Sequence, residues 1–458
     1  MKNIIKKTLS FFVLAVIISA LFVGCGSDKG TVFESDGFQY TVYTDHAELI
    51  AYIGEGSDVV VPDSLKSEKV TVLGEGLFKN RSNIKSVTLP QTVKTIKAEA
   101  FSRCTGLTLI ELPEGVETVE NGAFSFCTGL KTVKLLSTLK NLPENAFYQC
   151  LNLERVEFSD GLLTIGDNAF YSCQALNELR FPDTLTEIGV GSFSCCTALE
   201  SVVLPDSVEK IDNNSFEKCD ALTEFTAGKN LKSIGENVFL SCKKLKKVTL
   251  NDGLVSVGNG AFYESGITEV VFPDTVTEMG GCLISCESLT SVKLPSGMTA
   301  IPDSMFDGCK SIASIEIPTG VTVIGDRAFY GCESLSSPKM PDGLTHIGNS
   351  AFAQCIKMDK LTFTDSLVSI DESAFSYCIK VSEFNLGEGL KTIGAKAFEN
   401  CWKLNYITLP ASVETVGDNA FNSCKYLHTI TIKKAAGSFD TSKWGQGFKV
   451  KYKPEQAE

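Results

Sequence analysis

The chain has 458 residues and a formal charge of −13, with 43% hydrophobic and 21% charged residues. That composition supplies ample material for a core. The acidic balance argues against nucleic acid or an anionic membrane surface as partner, because both need a basic face to displace counterions.

Residues 1–24 begin with Lys2, Lys6 and Lys7 and continue into an apolar run from Phe11 to Ile18 and from Ala20 to Val23. A basic start followed by a short apolar stretch and a polar Gly26-Ser27-Asp28-Lys29-Gly30 linker reads as a secretory signal and not a spanning helix. Removing this acid-free leader would take the charge from −13 to −16. Phe22-Val23-Gly24-Cys25 resembles the bacterial lipoprotein cleavage box, departing from it at Phe22, where that family usually has Leu. The resemblance implies that Cys25 is acylated and becomes the new N-terminus, so that lipid would anchor the protein without spanning the membrane. Residues 25–35 are then a linker.

Residues 36–72 alternate apolar and polar side chains at Phe38 to Tyr43, with further apolar runs at Leu49 to Ile53 and Val59 to Val61. Short strands separated by Asp/Gly turns are expected, forming a β cap over the first open core face. From residue 73 to 432 the chain repeats. Cys104, Cys127, Cys150, Cys173, Cys196, Cys219 and Cys242 lie 23 residues apart, as do Cys286, Cys309, Cys332, Cys355, Cys378, Cys401 and Cys424. With Arg81 and Ser265 at the same position, 16 repeats can be counted. A fixed period of this size means a solenoid. Outside the irregular repeat that follows Ser265, the third, sixth and eighth residues after the marker are apolar, as in Leu153, Val156 and Phe158, and Phe stands three before it everywhere except at Leu283. Stacked copies would form one continuous core. Between Cys242 and Cys286 the interval is 44 residues, two short of two periods, so the repeat near 258–286 is the expected weak seam. Pro338 occupies an inward strand position, where it would delete a ladder donor. Residues 433–458, with Phe439, Trp444, Phe448, Val450 and Tyr452, are expected to cover the last core face and then fray.

The marker Cys, the LxxVxLP segment and the IGxxAFxxC segment resemble the BspA-like bacterial leucine-rich-repeat surface proteins. That resemblance implies an α/β-type, right-handed leucine-rich-repeat solenoid. It would carry a parallel sheet on one face and short helical or irregular turns on the other, and would be on the order of 80 Å long.

Zinc is not expected, because a row of identical positions on stacked coils is linear and does not converge. Neighbouring cysteines fall within disulfide range, but parallel side chains point the same way, so mostly free, buried thiols are expected. Cys282 replaces a small core Ala, and Cys195 lies on a row that should be exposed. His46, His346 and His428 are too dispersed for a Ser/His/Asp or HExxH arrangement to be read from the sequence. Gly166, Gly235 and Gly325 are assigned to turns. No cofactor, metal or catalytic residue is expected.

The outward strand positions are the expected binding face. Signs alternate along Glu111, Lys134, Glu157 and Arg180, which relieves like-charge stacking between coils. Arg155, Glu157, Glu178 and Arg180 concentrate charge on adjacent coils and form the candidate recognition patch, with Tyr406 the single aromatic of these rows. A shallow polar face without further rings suits a protein ligand better than a sugar. The expected function is that of a lipid-anchored, cell-surface binding protein. Family resemblance implies an adhesin for a host matrix protein or another cell surface, with no enzymatic role. The alternatives are an envelope scaffold without a ligand, or glycan or peptide capture for an uptake system.

Overall fold

A computed structural model describes residues 30–135 and 138–454. The leader and Cys25 lie outside the described residues. The rest forms one β-solenoid of about 18 turns. Its cap begins earlier than expected, because Val32–Ser35 is a strand and not linker, pairing antiparallel with Phe38–Val42. The register puts Phe33 opposite Tyr40, with ring centroids 5.7 Å apart, and that contact holds the segment. Ala47–Tyr52 pairs in parallel with Glu68–Leu73, and Asp58–Val60 with Ser86–Thr88. The cap therefore already supplies a first turn of both sheets that follow.

Most coils make two short strands, where one had been expected. The first, such as Thr132–Lys134 or Arg155–Glu157, buries its middle residue and exposes its flanks. The second, such as Thr164–Ile165 or Glu187–Ile188, buries its Ile. In register across 23 residues, these form parallel sheets on two sides of the core. The third side carries turns. Among the described residues the helical alternative is reduced to one 3₁₀ turn, Thr441–Lys443.

The turns resist helix formation because two residues per coil are left-handed, for example Asn168 (φ 53°) and Ser172 (φ 60°). Between them the backbone forms a third ladder, in which the Phe147 amide donates to the Ala169 carbonyl at 2.8 Å and the Phe170 amide to the Ser192 carbonyl at 2.8 Å. Under it the rings stack face to face from Phe78 to Phe262 and again from Phe306 to Phe421, with centroids 5.0–5.9 Å apart. Each marker thiol donates to the carbonyl of the stacked residue one coil earlier at 3.0–3.4 Å, as from Cys173 to Phe147 and from Cys309 to Leu283. That carbonyl also accepts the amide of its own coil's marker, so both its lone pairs are used.

The glycines after the second strand are not turn residues. A Cβ on Gly166 would lie 2.7 Å from the Leu142 carbonyl oxygen, and one on Gly235 2.7 Å from the Asn213 amide nitrogen. Gly325 is equally tight against Asp303, so these positions are glycine to let coils approach, at ordinary φ. The next residue caps the following coil, as where Asp167 Oδ1 accepts the Val190 amide at 2.8 Å.

The first sheet lapses at 178–180, at 314–316 and, as Pro338 foretells, at 337–339, and its pairing is interrupted again between Asn385 and Tyr406, while the second breaks between Val119 and Asn141 and between Met279 and Ala300. At 178–180 two rings occupy a row where neighbouring coils have Leu, with Phe158 and Phe181 5.6 Å apart and only partly buried. At the far end, Trp444 is 2% exposed and packs against Phe421, and the Phe421 amide donates to its carbonyl at 2.9 Å. Lys449–Tyr452 adds a parallel strand beside Thr429–Ile432.

Candidate functional site

Arg155 and Glu157 flank the buried Val156 on one strand, and alternation sends both side chains outward. There they pair with each other, Arg155 Nη2 lying 3.3 Å from Glu157 Oε1. One coil on, Arg180 Nε donates to Glu178 Oε1 at 2.6 Å. Those two residues lie where their coil forms no first-sheet strand, which corrects the expectation that they sit on the sheet. Charge is thus satisfied inside each coil and not by alternation between coils at these two steps. Exposed pairs of this kind are worth about 0–1 kcal/mol, so they contribute little to holding the coils together.

Glu157 also reaches a surface depression of about 370 Å³ whose walls include Leu109, Glu111, Leu112, Glu114 and Lys134. The sequence did not mark this hollow, because its walls come from three successive coils brought side by side. Tyr406 is 55% exposed on Tyr406–Leu409. It lies eleven coils beyond Arg155, on the order of 50 Å along the axis, so the face offers two separate places.

Coil register assembles one group that the sequence reading dismissed. His346 Nδ1 lies 2.5 Å from Ser369 Oγ, and its Nε2 lies 3.2 Å from Asp371 Oδ2. The three come together because His346 and Ser369 are register partners on adjacent second-sheet strands. Burial pushes the Asp371 carboxyl up from its ordinary value, with His346 opposing. His346 and Asp371 are part-exposed, and the bridge links two coils; catalysis by such a trio needs in addition a cavity and oxyanion donors beside it.

The turn side holds a strip of rings that also escaped the sequence. The Arg103 guanidinium sits 4.2 Å from the Phe126 ring centre, Phe126 meets Tyr148 edge-on at 5.3 Å, and Tyr148 stacks on Tyr171 at 5.0 Å. Cys195 follows one coil later, left-handed at φ 61° and part-buried, with its sulfur 3.6 Å from Ser194 Oγ. Proximity to this thiol raises the Tyr171 hydroxyl.

Two sheets, a ring stack, a thiol ladder and a 23-residue period on one chain specify the repeat class. A profile of the BspA type leucine rich repeat region matches in six overlapping copies, at residues 63–177, 140–249, 163–285, 210–336, 281–378 and 345–444. The chain belongs to this family. Its BspA type fold is similar to a leucine-rich repeat protein from Bacteroides ovatus, at 23% identity and a TM-score of 0.70, over 91% of this chain and 99% of that one. A leucine rich cell surface protein from Faecalibacterium prausnitzii matches at 21% identity and a TM-score of 0.41, over 92% of this chain and 99% of that one. The pneumococcal vaccine antigen PcpA matches at 16% identity and a TM-score of 0.35, over 93% of this chain and 88% of that one. No curated protein matches the sequence. BspA type proteins are typically found at the cell surface, and leucine-rich-repeat solenoids are typically binding scaffolds and not enzymes. Among the described residues no helix is long and apolar enough to cross a membrane.

Proposed function

We propose that this protein is exported, anchored through lipid on Cys25, and binds an extracellular protein with the outward face of its first sheet. In that role it is an adhesin or interaction module for a host matrix protein or another cell surface. One observation carries the reading. Many polar side chains elsewhere are consumed in ladders between coils, whereas the outward strand positions leave Leu109, Val203, Val271 and Tyr406 48–59% exposed. Apolar side chains set among exposed charges are the mixture found in protein interfaces.

The test is to present residues 26–458 to matrix proteins, intact cells and glycans. Binding to a protein supports the reading, and silence on every surface favours a scaffold. Reversing Arg155 and Arg180 together to Glu should weaken binding at least tenfold and reduce its salt dependence. Unchanged binding would remove the patch. Labelled palmitate should enter the wild-type chain and not Cys25→Ala; equal anchoring of both would refute the lipid assignment.

A further inference from the structure

Along this solenoid several cations stacked from coil to coil meet carboxylates. Lys94 pairs with Glu117 at 3.3 Å, Lys310 with Glu287 at 2.6 Å, and Lys360 with Glu383 at 3.2 Å. At the two positions after the marker cysteine near the C-terminal end, such pairs are missing from three successive coils. There Lys357, Lys380 and Lys403 stand in register 23 residues apart, all exposed, with Ile356, Ile379 and Trp402 in register beside them. Lys357 donates to Ser334 Oγ at 3.5 Å, and among the described residues none of Lys357, Lys380 and Lys403 has a carboxylate within ion-pair distance. In the last coil Tyr426 follows in the lysine row and Lys425 in the row of Trp402, and the Tyr426 amide donates to the Trp402 carbonyl at 3.1 Å. Trp402 is 43% exposed and Tyr426 48%.

Three like charges in register repel, and exposed rings cost hydration, so this strip works against the stability of an isolated solenoid. Its chemistry is that of a binding surface, since exposed Trp and Tyr are the residues that dominate interface energetics. On a chain of charge −13 the unpaired lysines select an acidic partner. Spacing selects its form. Successive positions on the strip are about 4.8 Å apart, close to the 5.4 Å turn of an α-helix and far from the roughly 6.7 Å same-side repeat of an extended strand. Over three coils a helix stays in step within about 1 Å, while a strand drifts by about 4 Å.

We infer that the strip formed by Ile356, Ile379, Trp402 and the three lysines docks an acidic amphipathic helix of a partner protein. The inference rests on the reading of this chain as a protein-binding module, and it places a second docking surface off the sheet face.

The chain holds two tryptophans, and Trp444 is buried at 2% exposure, so iodide quenching reports on Trp402. The probe is a helical peptide of about fifteen residues with Leu at every third or fourth position and Glu on both flanks. Added to the purified full chain, it should protect Trp402 from quenching. Trp402→Phe abolishes the signal while preserving the fold, and Lys380→Glu with Lys403→Glu should weaken binding at least tenfold. Equal protection by a scrambled peptide of the same charge would overturn the helix assignment. So would protection by anionic phospholipid vesicles with none from the peptide. Cell or matrix binding that survives the double reversal while the peptide fails would sink the strip alone. Peptide protection without any cell or matrix ligand would instead sink the broader reading.

Discussion

Of the sixteen cysteines described, Cys195 alone is not buried. Burial pushes the thiols of Cys104, Cys150, Cys286 and Cys424 up to about 12 from an ordinary value near 9. A thiol reagent at pH 8, in a Cys25→Ala background, should therefore modify Cys195 quickly and the remainder only after denaturation. Several fast ladder thiols would contradict the packing. The same shift sets a pH dependence. Between about 9 and 12 the folded chain keeps protons that the unfolded chain has released, so stability is full below that window and falls as pH rises through it. Melting temperature measured from pH 8 to 11 should show that decline. Backbone strain is a second effect at this scale. Ser350 is held at φ 54°, and Ser350→Gly should raise stability by up to about 1 kcal/mol. Gly331 has φ 67° and room for a Cβ, with nothing nearer than 3.8 Å, so Gly331→Ala should cost about 1 kcal/mol through φ alone. Urea midpoints of the two variants check both signs.

At the scale of one coil, spacing and stacking decide stability. A Cβ on Gly394 would lie 2.4 Å from the Asp371 backbone, so Gly394→Ala must push two coils apart. Its effect should exceed that of Gly331→Ala, because a backbone contact cannot rotate away as a flexible side chain can. Phe216 stacks on Phe193 at 5.4 Å and on Phe239 at 5.9 Å. Phe216→Ala should cost about 3–5 kcal/mol and lower the melting temperature accordingly. The sequence showed these glycines and rings as recurrent rows. It could not show that the glycines serve close approach, because spacing between coils is a property of two segments 23 residues apart.

For the whole molecule, sheet breaks are staggered. Between the strands Glu278–Met279 and Ala300–Ile301 the second sheet stops while the first continues through Glu269–Val271 to Ser291–Lys293. One coil later the first sheet lapses and the second resumes through Val323–Ile324. The ring stack is interrupted there too, since Leu283 replaces Phe, although the Cys309 thiol still bridges to its carbonyl. A solenoid is only as stable as its nearest-neighbour contacts, so the stretch 266–300 should exchange its amide hydrogens before coils on either side. Uniform protection along the array would show that the shortened repeat is no seam.

The period, the core rows and the shortened repeat could all be read from the chain, because each depends on residues that recur at fixed separation and face one core. Free thiols could also be argued, from parallel side chains pointing the same way. What only the tertiary structure decided is which surface residues meet. His346 with Ser369 and Asp371, the rings from Phe126 to Tyr171, and Trp402 with its lysines join through coil register, where positions 23 residues apart become neighbours. The pairing of Arg155 with Glu157 and of Glu178 with Arg180 was equally hidden, since side chains on an open surface choose among partners by local geometry that no periodicity encodes.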